Sequence, residues 1–157
     1  MTMLILVVIV LLAVFVVGAI AVAVALTRSS RRVQANDGAA LELYPGHDTS
    51  EVPSSWARGH DPEARLHRRM RDSLSALRRS PDFDATYLDT RVQLELAAAD
   101  LDRRLIATAP LRTQQKQEFL TAADAAVQSL ESVVSTMLTG RAPVPAELDV
   151  ALKRLQA

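Results

Sequence analysis

The chain has no cysteine, so disulfides, thiol catalysis and cysteine-ligated metals are excluded. Five glycines leave no phosphate-cradling loop, and no serine sits in a G-x-S-x-G elbow. Histidine occurs only at His47, His60 and His67, so none lies outside residues 47–67 to activate a serine. Net charge is also missing: 18 basic residues balance 18 acidic ones, which removes the global field expected of a nucleic-acid binder. Lysine is rare beside arginine, and alanine is abundant, the codon bias of a GC-rich genome.

What is present begins with Met3–Leu26, a stretch of 24 residues without charge or proline. As a helix it would be about 36 Å long, enough to cross a ~30 Å hydrocarbon core with some tilt. Its Leu, Ile, Val and Phe residues each favour insertion by roughly 0.3 to 0.6 kcal/mol. A helix also satisfies its own backbone polar groups in lipid. Residues 1–26 therefore read as a single transmembrane anchor. A cleaved signal peptide is the rival, since Ala21-Val22-Ala23 has a small-x-small form, but only Met1 and Thr2 precede the core and the core is too long.

Arg28, Arg31 and Arg32 follow the run, and no Lys or Arg precedes it. The positive-inside bias predicts an outside N-terminus and a cytoplasmic remainder, with these three arginines against lipid headgroups at the cell membrane. Residues 27–61 are punctuated by Gly, Pro, Ser, Asn and Asp and read as a mostly disordered linker. Leu41–Tyr44 and Trp56 are apolar spots within it, able to dock on the domain, on lipid or on a partner.

Residues 62–157 read as a three- to four-helix antiparallel bundle, so the fold class is all-α. Asp61-Pro62-Glu63 is a helix start, and Leu66, Met70, Leu74 and Leu77 share one face. Arginines fan over the rest, with Arg65, Arg68 and Arg69 as candidates for lipid or acidic-partner contact. Ser80-Pro81 ends the helix.

A second helix is expected from about Asp84 to Ala109, capped by Asp82 or Asp84. It carries two apolar stripes. Tyr87, Leu94, Ala98, Leu101 and Leu105 make one; Leu88, Val92, Ala99 and Ile106 make the other and are candidates for a partner-helix surface. Arg91, Glu95 and Asp102 fall between them.

Ala109-Pro110 reads as a hairpin turn rather than a kink. The third helix, to Thr139, repeats Leu120, Ala123, Val127, Leu130, Val134 and Met137 at heptad spacing, before Gly140 as a left-handed C-cap. A short last helix presents Leu148, Leu152 and Leu155. The long hairpin of helices two and three is expected to form the backbone of the core.

His60, Asp61, Glu63 and His67 lie close together, yet no second helix supplies an HExxH or ExxH partner, and they read as surface residues rather than ligands. Asp89, Asp100, Asp102, Glu118, Asp124 and Glu131 are expected to scatter over exposed faces, which gives no acid or base a shifted pKa. The sequence thus points to a non-enzymatic, single-pass membrane adaptor or scaffold. Its partners are the bilayer and, through helices, another protein or a second copy. No cofactor, metal, nucleic acid or small-molecule substrate is implied. The alternative is an extracytoplasmic helical binding domain, or one secreted after cleavage.

Overall fold

The computed structural model describes residues 38, 40–80 and 87–157. Among the described residues, the 3-10 turn Ser54–Ala57 is followed by the helices α1 (Pro62–Arg79), α2 (Leu88–Thr108), α3 (Thr113–Leu138) and α4 (Pro145–Gln156), and Gly38, Ala40 and Leu41 are also helical. Among the described residues there is no strand. The anchor run 3–26, the arginines Arg28, Arg31 and Arg32, and the caps expected at Asp82 and Asp84 lie outside the described residues. Among the described residues, no helix is long and apolar enough to cross a membrane.

α1 begins with proline at its first turn beside Glu63 and ends at Ser80, whose extended backbone (φ −66°, ψ 121°) suits a residue before proline. Leu66, Met70, Leu74 and Leu77 are all buried, as their spacing predicts. In α3 the whole heptad row from Leu120 to Met137 is buried, widened by Ala126 and Val133. Gly140 closes α3 with φ 73°, and its N–H donates to the Met137 carbonyl at 3.0 Å. α4 buries Ala151 and Leu155, while Leu148 and Leu152 are half-buried against the same core.

Cross-helix polar pairs fix the directions. His67 meets Asp102, and Arg78 meets Glu95, so α1 and α2 run antiparallel. Glu63 pairs with Lys116, and Arg69 with Asp124 and Glu131, so α1 and α3 run parallel. It follows that α2 and α3 run in opposite directions, and Ala109–Arg112 is a reversal rather than a kink. Gln115 Oε1 accepts the Arg112 N–H at 3.2 Å, capping the new helix.

The hairpin is nevertheless not the backbone of the core. α2 and α3 meet over a short stretch only; α1 packs against both, and α4 packs against both. The short helices fill the space between the long ones because the large residues of α1 need apolar surface from two neighbours. Leu66, Met70, Leu74 and Leu77 are each 5% exposed or less.

The segment before α1 also differs from its composition. Leu41, Leu43, Val52 and Trp56 are buried in the same core as the helices. Of the alternatives for these apolar spots, docking on the domain is the one observed. The chain expected to be a tether through residue 61 is therefore packed from about Ala40. Arg68 donates to the carbonyls of Trp56 (3.1 Å) and Gly59 (2.6 Å), and Arg71 to that of Ala40 (2.5 Å), which holds this segment on α1.

Candidate functional site

Two features outside the apolar core carry chemistry: a sealed polar centre, and an open face on α2.

The polar centre arises because α1 and α2 place polar residues at core positions. Along α1 the buried row is Glu63, His67, Met70, Leu74 and Leu77, at steps of four, three, four and three. Along α2, Glu95, Ala98, Asp102 and Leu105 do the same. Where the rows meet, His67 Nδ1 lies 2.7 Å from Asp102 Oδ1, and both side chains are fully buried. The Trp56 indole covers the imidazole at 5.6 Å between ring centres, tilted by 54°. Glu63, 1% exposed, is matched by Lys116. Glu95 is held by Arg78 at 2.8 Å, with Arg91 at 3.5 Å.

These positions correct the expectation that Glu63 and His67 lie on the surface and that Asp102 faces solvent. The physical reason is pairing: a buried acid is tolerated where a donor from another helix meets it. Steps of three and four through Glu63 and His67 were the signal in the sequence. His60 stays exposed. Among the described residues no three His, Asp or Glu side chains converge as a metal would require. A His–Asp pair can orient a general base, but this one is closed to solvent by Trp56 and the core.

The arginines divide. Arg65 is exposed. Arg68 is turned inward to the Trp56 and Gly59 carbonyls. Arg69 is clamped by Glu131 (2.8 and 2.7 Å) and Asp124 (2.5 Å). The Glu131 hydrogen bonds, seconded by Asp124, hold the Arg69 guanidinium well above its usual pKa. Arg68 and Arg69 thus serve internal contacts in this fold.

The second apolar stripe of α2 is split. Leu88 and Val92 are 44% and 42% exposed, and Leu96, absent from the expected stripe, is 57% exposed. Ala99 and Ile106 continue the same side of the helix and line a cleft of about 530 Å³ with Tyr44, His47, Leu96 and Arg103. Asp48, Glu51 and Asp100 complete its walls. No family model, curated protein or solved structure matches the chain. Function must be argued from these residues.

The cleft exists because residues 44–51 turn back over α2. Gly46 takes φ 88°, and its N–H donates to Glu42 Oε1 at 2.6 Å. The Asp48 carboxylate accepts the Ser50 N–H at 2.9 Å, and that backbone hydrogen bond lowers its pKa. Tyr44 is fixed in turn by Arg78, whose guanidinium carbon lies 5.4 Å from the ring centre.

Proposed function

We propose that the chain is a non-enzymatic, single-pass membrane adaptor that presents its helical bundle to a protein partner. The observation that carries this reading is the row Leu88, Val92 and Leu96, three large apolar side chains open to solvent one turn apart on α2, whereas Leu111, Leu138, Val144 and Val150 are exposed near the ends of α3 and along α4. The uncharged run Met3–Leu26 supports a membrane anchor, and the arginines after it support a cytoplasmic bundle. An anchor at that end would keep a captured partner close to the bilayer.

Alkaline carbonate extraction and protease protection in intact cells test the placement. Retention in the membrane pellet, with a C-terminal tag protected from external protease, is the expected result. Release by carbonate, or loss of the first two dozen residues, overturns the anchor. Digestion of the tag in intact cells favours an extracytoplasmic binding domain instead. Proximity labelling from the C-terminus tests the adaptor role, and failure to enrich any reproducible soluble partner counts against it.

A further inference from the structure

We infer that the open face of α2 and its adjoining cleft take a basic amphipathic helix from a partner protein. By the 3.6-residue period, Leu88, Val92, Leu96, Ala99 and Ile106 fall within about 80° of the helix circumference. The row runs about 27 Å from end to end, with Leu88, Val92 and Leu96 open to solvent, Ala99 and Ile106 lining the cleft, and Arg103 on the same side of the helix. At its C-terminal half the strip is walled by residues 44–51, which turns an exposed row into a groove. Grooves of this form receive helices that present anchors at i, i+3, i+4 and i+7.

Charge selects the occupant. Asp48, Glu51 and Asp100 line the cleft, and Asp89 is exposed beside Leu88. Arg103 is the cation lining the cleft, and Asp100, three residues away on α2, already holds it. Arg91, the neighbouring cation on α2, faces Glu95 at 3.5 Å. The rim is therefore acidic around an apolar floor. A second copy docking by the same face would set these carboxylates against their own counterparts, which is repulsive. Anionic lipid headgroups would be repelled for the same reason. A helix with leucine-like anchors and flanking Lys or Arg satisfies both the floor and the rim.

Such docking rests on the adaptor reading, and the two can fail separately. The full chain, reconstituted in phosphatidylcholine nanodiscs, is titrated with a 14-residue Leu/Lys amphipathic peptide carrying a photo-crosslinker, and with its Leu/Glu counterpart. Co-elution of the chain with the discs reads the anchor; mass-spectrometric mapping of crosslinks on the protein reads the groove. Expected are crosslinks confined to residues 44–51 and 88–106, at least about tenfold weaker binding of the Glu peptide, and weaker binding of the Lys peptide once salt screens its cations. Val92→Asn and Leu96→Asn, both at exposed positions, should each reduce the Lys-peptide crosslink severalfold. Glu51→Lys should weaken the Lys peptide and strengthen the Glu peptide.

Equal labelling by the two peptides, crosslinks elsewhere on the bundle, or indifference to Val92→Asn and Leu96→Asn would overturn the proposal. So would a dimer joined through this face, since the occupant would then be a second copy. A chain that fails to co-elute with discs but still crosslinks in the groove would sink the anchor alone.

Discussion

His67 Nδ1 and Asp102 Oδ1 stand 2.7 Å apart across the α1–α2 interface, with both side chains fully buried beneath Trp56. His67 Nε2 and Asp102 Oδ2 are buried without a hydrogen-bond partner among the described residues. The single contact thus carries the matching of these two polar groups in an apolar interior, and with Arg78–Glu95 it joins α1 to α2.

Breaking that contact from one side should leave the other group orphaned. Asp102→Ala and His67→Leu are each expected to destabilise the bundle by about 2–4 kcal/mol. The double variant should lose less than the sum, by at least about 1 kcal/mol, because neither orphan remains. Thermal melts of the full chain in detergent, followed by circular dichroism, give the three values. Strict additivity would show that the pair is not coupled.

Trp56 is the chain's single tryptophan and is 3% exposed. Its emission should be that of a buried indole and should shift to the red only on unfolding. Trp56→Ala should lower stability by roughly 3–5 kcal/mol and expose residues 40–61 to protease. A native spectrum already at the red limit would mean that this segment is undocked.

Arg69 joins α1 to α3 through Asp124 and Glu131, all three partly exposed. Solvent screening limits the gain, so Arg69→Met is expected to cost only about 1 kcal/mol at low salt. The difference from the parent should shrink at 1 M salt, where the screening length is about 3 Å. A loss of stability independent of salt would assign the effect to packing of the arginine stem.

Asp48 has a lowered pKa, from its bond to the Ser50 N–H. A depressed carboxylate stabilises the folded turn above its unfolded pKa and loses that contribution as pH falls through the folded value. The turn over α2 should therefore hold down to pH 3.8 and loosen below it. The Ser50 amide resonance should titrate with a midpoint below 3.8, and a midpoint above it would contradict the hydrogen bond.

Within the described region, the apolar rows of α1, α3 and α4 were legible because burial of one helix face leaves a period in the sequence. Proline at residue 62 and glycine at residue 140 marked two helix ends for equally local reasons, restricted φ in one case and free φ in the other. The candidate face was half visible: Leu88, Val92, Ala99 and Ile106 appear as a stripe, but periodicity cannot say which part of a stripe is covered.

By itself, then, the sequence determined an all-helical domain with most of its apolar core residues and the exclusion of cysteine chemistry, whereas the reversal at Pro110 was decided by the pairs that α1 makes with α2 and α3. Tertiary structure alone decided that α1 and α4 lie between the long helices, that residues 40–61 belong to the core, and that His67 and Asp102 meet inside it. The reason is physical. Local periodicity records only how much of each helix is apolar, whereas the pairing of polar groups and the covering of a stripe depend on residues from other elements, 17 positions away for Arg78 and Glu95 and 35 for His67 and Asp102.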